Sequence, residues 1–264
     1  PFDDASENMA RGMVKNFLID NNGRMELDFE ATEELLSKDT KMLFFCNPHN
    51  PGGTVFNKEE ITTLVEICER HNITICSDEI HCDLILQDDL EHFHLASLNE
   101  YAKQNSITIL GPCKTFNLAG FPLAASIIPN KELREDFIQN TKGIVSHIDN
   151  LAFVASTAAY KYAGEWHKEL IEYLQENKKI LIEGLNKIDG LSLSGPEAGF
   201  LAWVDCRETG LDTPGDFFIN HAGVGVYDGS WFGREGYIRL NFGCPRSVLQ
   251  ESIERIQKAF SQRN

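Results

Sequence analysis

Short apolar runs that alternate with helical patterns are the feature of this sequence that most constrains its fold. Residues 42–46, 73–76, 107–110 and 124–128 each have the length and apolar character of a strand. Between the first two runs, Asn57 and Glu60 form a helix start that resembles a capping box, and apolar residues follow at helical spacing. Strands separated by helices predict an α/β layer with a largely parallel sheet.

Three polar residues, Asn50, Asp78 and Lys114, follow these predicted strands closely. Ligands of open α/β sheets gather at the carboxyl ends of the strands. Taken alone, Lys114 is more simply a solvated lysine than an amine held in a pocket to form an imine. Asp78 alone suits a strand-end cap, and Asn50 alone suits a turn before proline. Their shared position at strand ends makes them one candidate site.

The pattern changes at Gly164. Apolar residues at helical spacing predict a long helix that ends near Gly190. A strand over 200–204, a helix from about Thr213, a strand over 237–242 and a last helix from Ser247 follow. We therefore predict a large domain over residues 1–163, and a linking helix with a smaller α+β domain over residues 164–264.

Charge and composition exclude several function classes. The 264 residues include 40 acidic and 24 basic side chains, for a net charge of −16, which opposes binding to nucleic acid. No apolar run approaches the roughly 20 residues that cross a bilayer, and no signal segment is visible, so we expect a cytoplasmic protein. The seven cysteines are scattered and contain no C-x-x-C pair, which indicates neither a metal site nor a disulfide framework.

Four segments carry a family resemblance: NPHNPGG at 47–53, SDEIHCD at 77–83, KTFNLAG at 114–120 and RLNFGCPR at 239–246. Their order and spacing resemble the fold-type-I pyridoxal-phosphate enzymes, the class I/II aminotransferase superfamily. Within it, their wording looks most like the cystathionine β-lyase-like C–S lyases. The resemblance covers essentially the whole chain. It implies an aminotransferase-like large domain that is only partial here, followed by the small C-terminal α+β domain.

The resemblance also implies a role for each candidate residue. Lys114 matches the lysine that forms a Schiff base with pyridoxal 5′-phosphate and later removes the substrate Cα proton. Asp78 matches the carboxylate that pairs with the pyridine nitrogen. Asn50 matches the amide that contacts the ring 3′-oxygen, and His81 stands where aminotransferases usually carry a tyrosine for the same oxygen. Arg239 matches the arginine that binds the substrate α-carboxylate.

These matches favour a pyridoxal-phosphate-dependent C–S β-lyase that releases a thiol, pyruvate and ammonia from an S-substituted cysteine. The alternatives are an aminotransferase, or a non-catalytic regulatory or inert fragment with this fold. Many relatives carry a phosphate-binding serine and an arginine where this chain has Gly111 and Pro122. The missing arginine weakens the aminotransferase interpretation.

Two further expectations follow from the resemblance. Active sites in this family lie at a twofold interface, so we expect a homodimer. Family members also carry a substantial further segment before the position of Pro1, so we expect this chain to be a fragment of a longer enzyme.

Overall fold

The computed structural model describes residue 6 and residues 8–263. A small hairpin, followed by a capped helix, precedes the larger sheet. Strand β1 (Ile19–Asn21) pairs antiparallel with β2 (Arg24–Glu26). Their turn contains Asn22 and Gly23, both with positive φ, which an Asn-Gly pair tolerates. Helix α1 (Phe29–Leu35) follows, and its N-cap Asp28 accepts a hydrogen bond from the Ala31 N–H.

The larger sheet has four strands in the order β3-β4-β5-β6. They are β3 (Met42–Cys46), β4 (Thr74–Asp78), β5 (Ser106–Leu110) and β6 (Ala125–Ile127). The first three strands are parallel, as predicted, and β6 is an antiparallel edge strand. The carboxyl ends of β3, β4 and β5 therefore meet at one edge of the sheet.

Helix α2 (Lys58–His71) connects β3 to β4 and buries one face against the sheet. Its start is the predicted capping box, in which the Asn57 side chain accepts from Glu60 N and the Glu60 side chain accepts from Asn57 N. Ile61, Leu64 and Val65 on this helix join Phe45 and Ile75 of the sheet, among others, in one buried cluster. Removal of this apolar surface from water fixes the helix on the sheet.

Between β4 and residue 164, the described residues form four further α-helices, two short and two longer. Helix α3 (Glu100–Gln104) precedes β5, and α4 (Pro112–Thr115) follows it. Helices α5 (Lys131–Thr141) and α6 (Asn150–Tyr162) come after β6. Sequence patterns did not predict α5 or α6. Helix α7 (Gly164–Leu185) begins where the long helix was predicted but ends before Gly190. The domain division at residues 163 and 164 stays a prediction.

The C-terminal part is built on a three-stranded antiparallel sheet of order β7-β9-β8. Its elements are β7 (Leu201–Asp205), α8 (Pro214–Asn220), β8 (Tyr227–Asp228), β9 (Tyr237–Asn241) and α9 (Arg246–Ser261). Alternate residues such as Val204 and Ile238 lie in a buried cluster with α7 and α9. Residues at the intervening positions, including Arg239, lie on the opposite face of the sheet because side chains alternate along a strand.

Helices α7 and α9 approach closely at Gly184. A Cβ atom added to this glycine would lie 2.6 Å from Ile253 Cγ2, so only glycine permits the observed packing. Among the described residues, no helix is both long enough and apolar enough to cross a bilayer.

Candidate active site

The candidate residues lie around the carboxyl ends of the parallel strands. Asp78 is the last residue of β4, the second strand of the sheet, and pairs in register with Cys46 of β3 and Ile109 of β5. Asn50 lies in the loop after β3, and Lys114 lies in α4, directly after β5. Asn50 and Lys114 thus follow strand ends as predicted, whereas Asp78 is itself the last residue of its strand.

The loop that carries Asn50 is held by its own polar groups. The His49 N–H donates to the Thr54 carbonyl, and the buried Asn47 side chain accepts from the Phe56 N–H. Gly53 has a positive φ of 73° and packs against Pro196, where a Cβ atom would collide. The loop is therefore fixed against the segment that precedes β7, and Asn50 faces the C-terminal sheet.

Lys114 is anchored by the residues that follow it. Thr115 is buried, and its Oγ1 donates to Asp83 Oδ2 at 3.2 Å. The Phe116 ring contacts Tyr160 at the end of α6, with ring centroids 5.3 Å apart. His167 at the start of α7 donates from Nε2 to the Asp83 carbonyl at 2.6 Å. Short helix α4 is thereby attached to both long helices.

Gly111, at the position where many relatives carry a serine, is required by packing in this chain. A Cβ atom there would lie 2.8 Å from the Leu123 carbonyl oxygen, which precedes β6. A serine would therefore force the backbone before β6 to move. This contact gives a physical reason for one departure from the family pattern.

Asp78 is a half-buried carboxylate close to a cation. Burial raises its pKa most strongly, while the Ile80 N–H and the positive charge of Lys114 oppose that rise, and Glu79 adds to it. Ile80 donates to Asp78 Oδ1 at 3.2 Å. A further positive group beside Asp78 would stabilise its ionised form.

His81 is buried and neutral. Burial, followed by the charges of Lys114 and Arg239, lowers its pKa to about 4. Its ring meets Phe200 edge-on at a centroid distance of 5.8 Å. Its Nδ1 is buried and has no hydrogen-bond partner among the described residues. An unpaired buried polar atom is costly, so this nitrogen is suited to a ligand oxygen.

Arg239 connects the C-terminal sheet to the residues at the strand ends of the larger sheet. Its Nη1 donates to Asn50 Oδ1 at 2.9 Å, which links β9 to the loop after β3. Asn50 and His81 line one narrow pocket, together with Pro48, His49, Gly53, Ala198, Gly199 and Leu201. The five predicted residues therefore form one group. A hydrogen bond joins Arg239 to Asn50, and the pocket joins Asn50 to His81. The charge of Lys114 acts on both Asp78 and His81.

A buried cluster next to Asp78 was missed by the sequence analysis. The Glu79 side chain is fully buried, and its Oε2 accepts from His92 Nε2 at 2.8 Å and from His94 Nδ1 at 2.6 Å. Its Oε1 accepts from Ser77 Oγ at 2.8 Å and from Leu95 N at 3.2 Å. Burial raises the Glu79 pKa, but these hydrogen bonds outweigh it, led by that from His92, and the net pKa is lowered.

Two histidines and a glutamate are also a donor set that binds zinc, and the ligand atoms of this cluster lie within 4.8 Å of one another. The direct hydrogen bonds already satisfy the Glu79 carboxylate. We therefore interpret the cluster as a buried charge network that fixes the end of β4. No local sequence signal joins Glu79 to His92 and His94, because the contact depends on how the intervening loop folds back.

A second network joins the hairpin to the site. Arg24 donates to Glu60 at 2.9 Å and to Glu197 at 3.1 Å, and these carboxylates raise its pKa. Glu197 also accepts from the Val55 N–H at 2.7 Å. These contacts hold the loop of Asn50 against the chain that leads into β7.

Comparison with known proteins agrees with this geometry. Residues 5–256 match the family "Aminotransferase class I and II". The chain is 34% identical to cystathionine beta-lyase PatB of Bacillus subtilis, over 99% of this chain and 69% of PatB. It is 31% identical to protein MalY of Escherichia coli, over 86% of this chain and 59% of MalY.

Solved structures give the same result. Cystalysin from Treponema denticola, described as containing a pyridoxal 5′-phosphate cofactor, superposes with a TM-score of 0.95 at 32% identity, over 100% of this chain and 68% of cystalysin. OvoB superposes with a TM-score of 0.97 at 39% identity, over 100% of this chain and 69% of OvoB. The aminotransferase-like α/β fold is confirmed. The chain spans about 59–69% of the length of these four relatives, and it belongs to the class I and II aminotransferase family.

Proposed function

We propose that this chain carries the reaction centre of a pyridoxal-phosphate-dependent C–S β-lyase that acts on an S-substituted cysteine such as cystathionine. The observation that carries the proposal is His81, a buried neutral imidazole with an unpaired Nδ1 in the same pocket as Asn50. The relatives named cystathionine beta-lyase support the lyase activity.

The residues present fit the cofactor. Lys114 would hold it covalently, Asp78 would face its pyridine nitrogen, and Asn50 and His81 would contact its ring oxygen. The unpaired His81 nitrogen suits that oxygen, and the half-buried Asp78 suits a protonated ring nitrogen. When bound, pyridoxal phosphate supplies an electron sink for the negative charge left at the substrate Cα.

The chain's own residues then perform three tasks. Arg239 binds the substrate α-carboxylate. Lys114 accepts the Cα proton on Nζ as general base. Asp78 would place a carboxylate beside the ring nitrogen of the cofactor, where a negative charge favours the protonated nitrogen. Cleavage of the Cβ–S bond releases the thiolate with its electron pair, and water completes the reaction to pyruvate and ammonia.

An aminotransferase is the second candidate, and specific observations favour it. A Pyrococcus horikoshii relative at 27% identity is named aspartate aminotransferase, and a pyridoxal-phosphate-bound structure at 33% identity from Clostridium difficile is described as a putative aminotransferase. The same residues serve both reactions until the Cα proton has been removed, so the reaction products must distinguish them.

The test is pyruvate release from cystathionine, with added cofactor and without any keto acid. We expect release by the 264-residue chain, its loss in Lys114→Ala, and no change in Lys131→Ala, a matched control on the exposed face of α5. Turnover that strictly requires 2-oxoglutarate would overturn the lyase in favour of the aminotransferase. Absence of the visible band of a pyridoxal imine would favour the inert or regulatory fragment.

We further expect a homodimer, in line with the family, and a cytoplasmic location. Sedimentation of the chain with and without cofactor tests the first expectation. Both stay predictions.

A further inference from the structure

Arg239 lies against two aromatic rings. Its guanidinium carbon lies 4.6 Å from the centroid of the Tyr227 ring and 4.6 Å from that of the Phe232 ring. Such distances allow cation–π attraction to each ring. We call Tyr227 and Phe232 the aromatic clamp.

The topology of the small sheet puts the clamp in place. Tyr227 of β8 lies directly opposite Arg239 of β9 in the antiparallel register, so the two side chains share one face. Phe232 ends a 3₁₀ turn, Gly229–Phe232, that follows β8. Trp203 of β7, the partner of Arg239 on its other side, meets the Phe232 ring edge-on at 5.6 Å. The clamp is therefore supported by all three strands.

The electrostatics of Arg239 differ from those of Arg24 and Arg207. Carboxylates raise the pKa of both Arg24 and Arg207, in each case through direct hydrogen bonds. Burial instead lowers the pKa of Arg239, and Tyr227 provides the opposing effect, with no Asp or Glu of the described residues contributing. Arg239 is thus a half-buried cation without an anionic partner in the described part of the chain.

The clamp also leaves the N–H donors of Arg239 open. A guanidinium has five N–H donors, and Asn50 takes one of them on Nη1. An acidic side chain in place of the rings would neutralise Arg239 and compete with an incoming carboxylate. Aromatic faces restrict the rotation of the guanidinium without occupying a donor, and a pre-oriented group loses less entropy on binding.

We propose that Tyr227 and Phe232 are positioning residues that orient Arg239 toward the α-carboxylate of the substrate. The proposal rests on the proposed function, in which Arg239 binds that carboxylate. The proposal assigns the positioning of Arg239 to the aromatic ring of each residue.

The first test separates substrate binding from chemistry. Tyr227→Leu and Phe232→Leu should each raise KM for cystathionine about tenfold, with kcat changed less than about twofold, because the clamp acts on binding geometry. Tyr227→Phe and Phe232→Tyr keep a ring and should retain the KM of the unmodified chain. Tyr162→Leu, on the exposed end of α6, is the control and should change neither constant. Equal KM values for the leucine and ring-retaining variants would overturn the proposal.

The second test does not need turnover. Propionate has a carboxylate but no amino group, so it cannot join the cofactor, and its binding can be followed by the fluorescence of Trp203 and Trp231, which contact the clamp. Its Kd should rise about tenfold in the leucine variants, as KM does, and stay unchanged in Tyr227→Phe. Unchanged propionate binding in Tyr227→Leu would overturn the proposal.

The two tests distinguish this inference from the proposed function. If the chain releases no pyruvate but its variants show the expected changes in the Kd for propionate, the proposed lyase activity is wrong and the role of the clamp is supported. A chain that releases pyruvate with normal KM in both leucine variants refutes the clamp alone. Tyr227 is 49% exposed, so Tyr227→Leu should fold. If Phe232→Leu does not fold, Tyr227→Met serves as the second variant without a ring.

Discussion

Replacement of Glu79 by glutamine tests whether the buried charge network stabilises the site. The carboxylate of Glu79 accepts hydrogen bonds from Ser77, Leu95, His92 and His94, and its side chain is completely buried. Glutamine keeps the volume but has one acceptor oxygen and an NH₂ group that faces donors. The four donors therefore cannot all be satisfied in Glu79→Gln.

The size of the loss in the free energy of unfolding depends on which of these hydrogen bonds are buried. A buried hydrogen-bond donor that loses its acceptor costs about 1–3 kcal/mol. The His92 side chain is 5% exposed and bears this cost, whereas that of His94 is 50% exposed and can turn to water. We therefore expect the free energy of unfolding to fall by about 2 kcal/mol.

Urea unfolding at neutral pH, followed by circular dichroism, measures the change. Glu100→Gln is the matched control, because the Glu100 side chain is 73% exposed and lies 3.7 Å from Lys103. The free energy of unfolding of this control should fall by less than about 0.5 kcal/mol. A loss in Glu79→Gln no larger than in the control would refute the network's stabilising role.

The pH dependence gives an independent check. The folded-state pKa of Glu79 lies below its ordinary value of 4.5, so the folded state binds the proton less readily than the unfolded state. The stability that this group contributes is present above the ordinary value and is lost as the pH falls through the folded-state value. The difference between the unmodified chain and Glu79→Gln should therefore shrink in acid. A difference that grows below pH 4.5 would contradict the reasoning.

Two further predictions concern stability. Gly184→Ala should lower the free energy of unfolding by about 1–3 kcal/mol, since the new Cβ meets Ile253. Gly164→Ala, which meets no atom within 4 Å, is its control; an equal loss there would contradict the packing argument. Asn57→Ala removes the N-cap of α2 and should cost about 1 kcal/mol in the same urea assay. Unchanged stability in that variant would show that the cap is not used.

Local signals made much of the fold predictable. Residues 42–46 have the length and apolar character of a strand, and β3 has those bounds. The capping box at Asn57 depends on residues three apart, so it can be recognised without a structure. Asn50, Asp78 and Lys114 were found because strand ends are visible in the apolar pattern, although their catalytic roles stay predictions.

The missed features depend on contacts that no local pattern encodes. Helix α6 carries exposed apolar residues, such as Leu151 and Phe153, and therefore lacks a clear amphipathic stripe. The direction of β6 is set by its pairing with β5, which a short apolar run does not reveal. The aromatic clamp around Arg239 likewise requires the register between β8 and β9.

The attachment site of the cofactor tests the central claim most directly. The 264-residue chain is incubated with pyridoxal 5′-phosphate, reduced with borohydride to fix any imine, digested, and its peptides are weighed by mass spectrometry. The account predicts a pyridoxyl group on the peptide that contains Lys114, and none on that peptide in Lys114→Ala. A modification that prefers another lysine, or an unmodified Lys114 peptide, would contradict it.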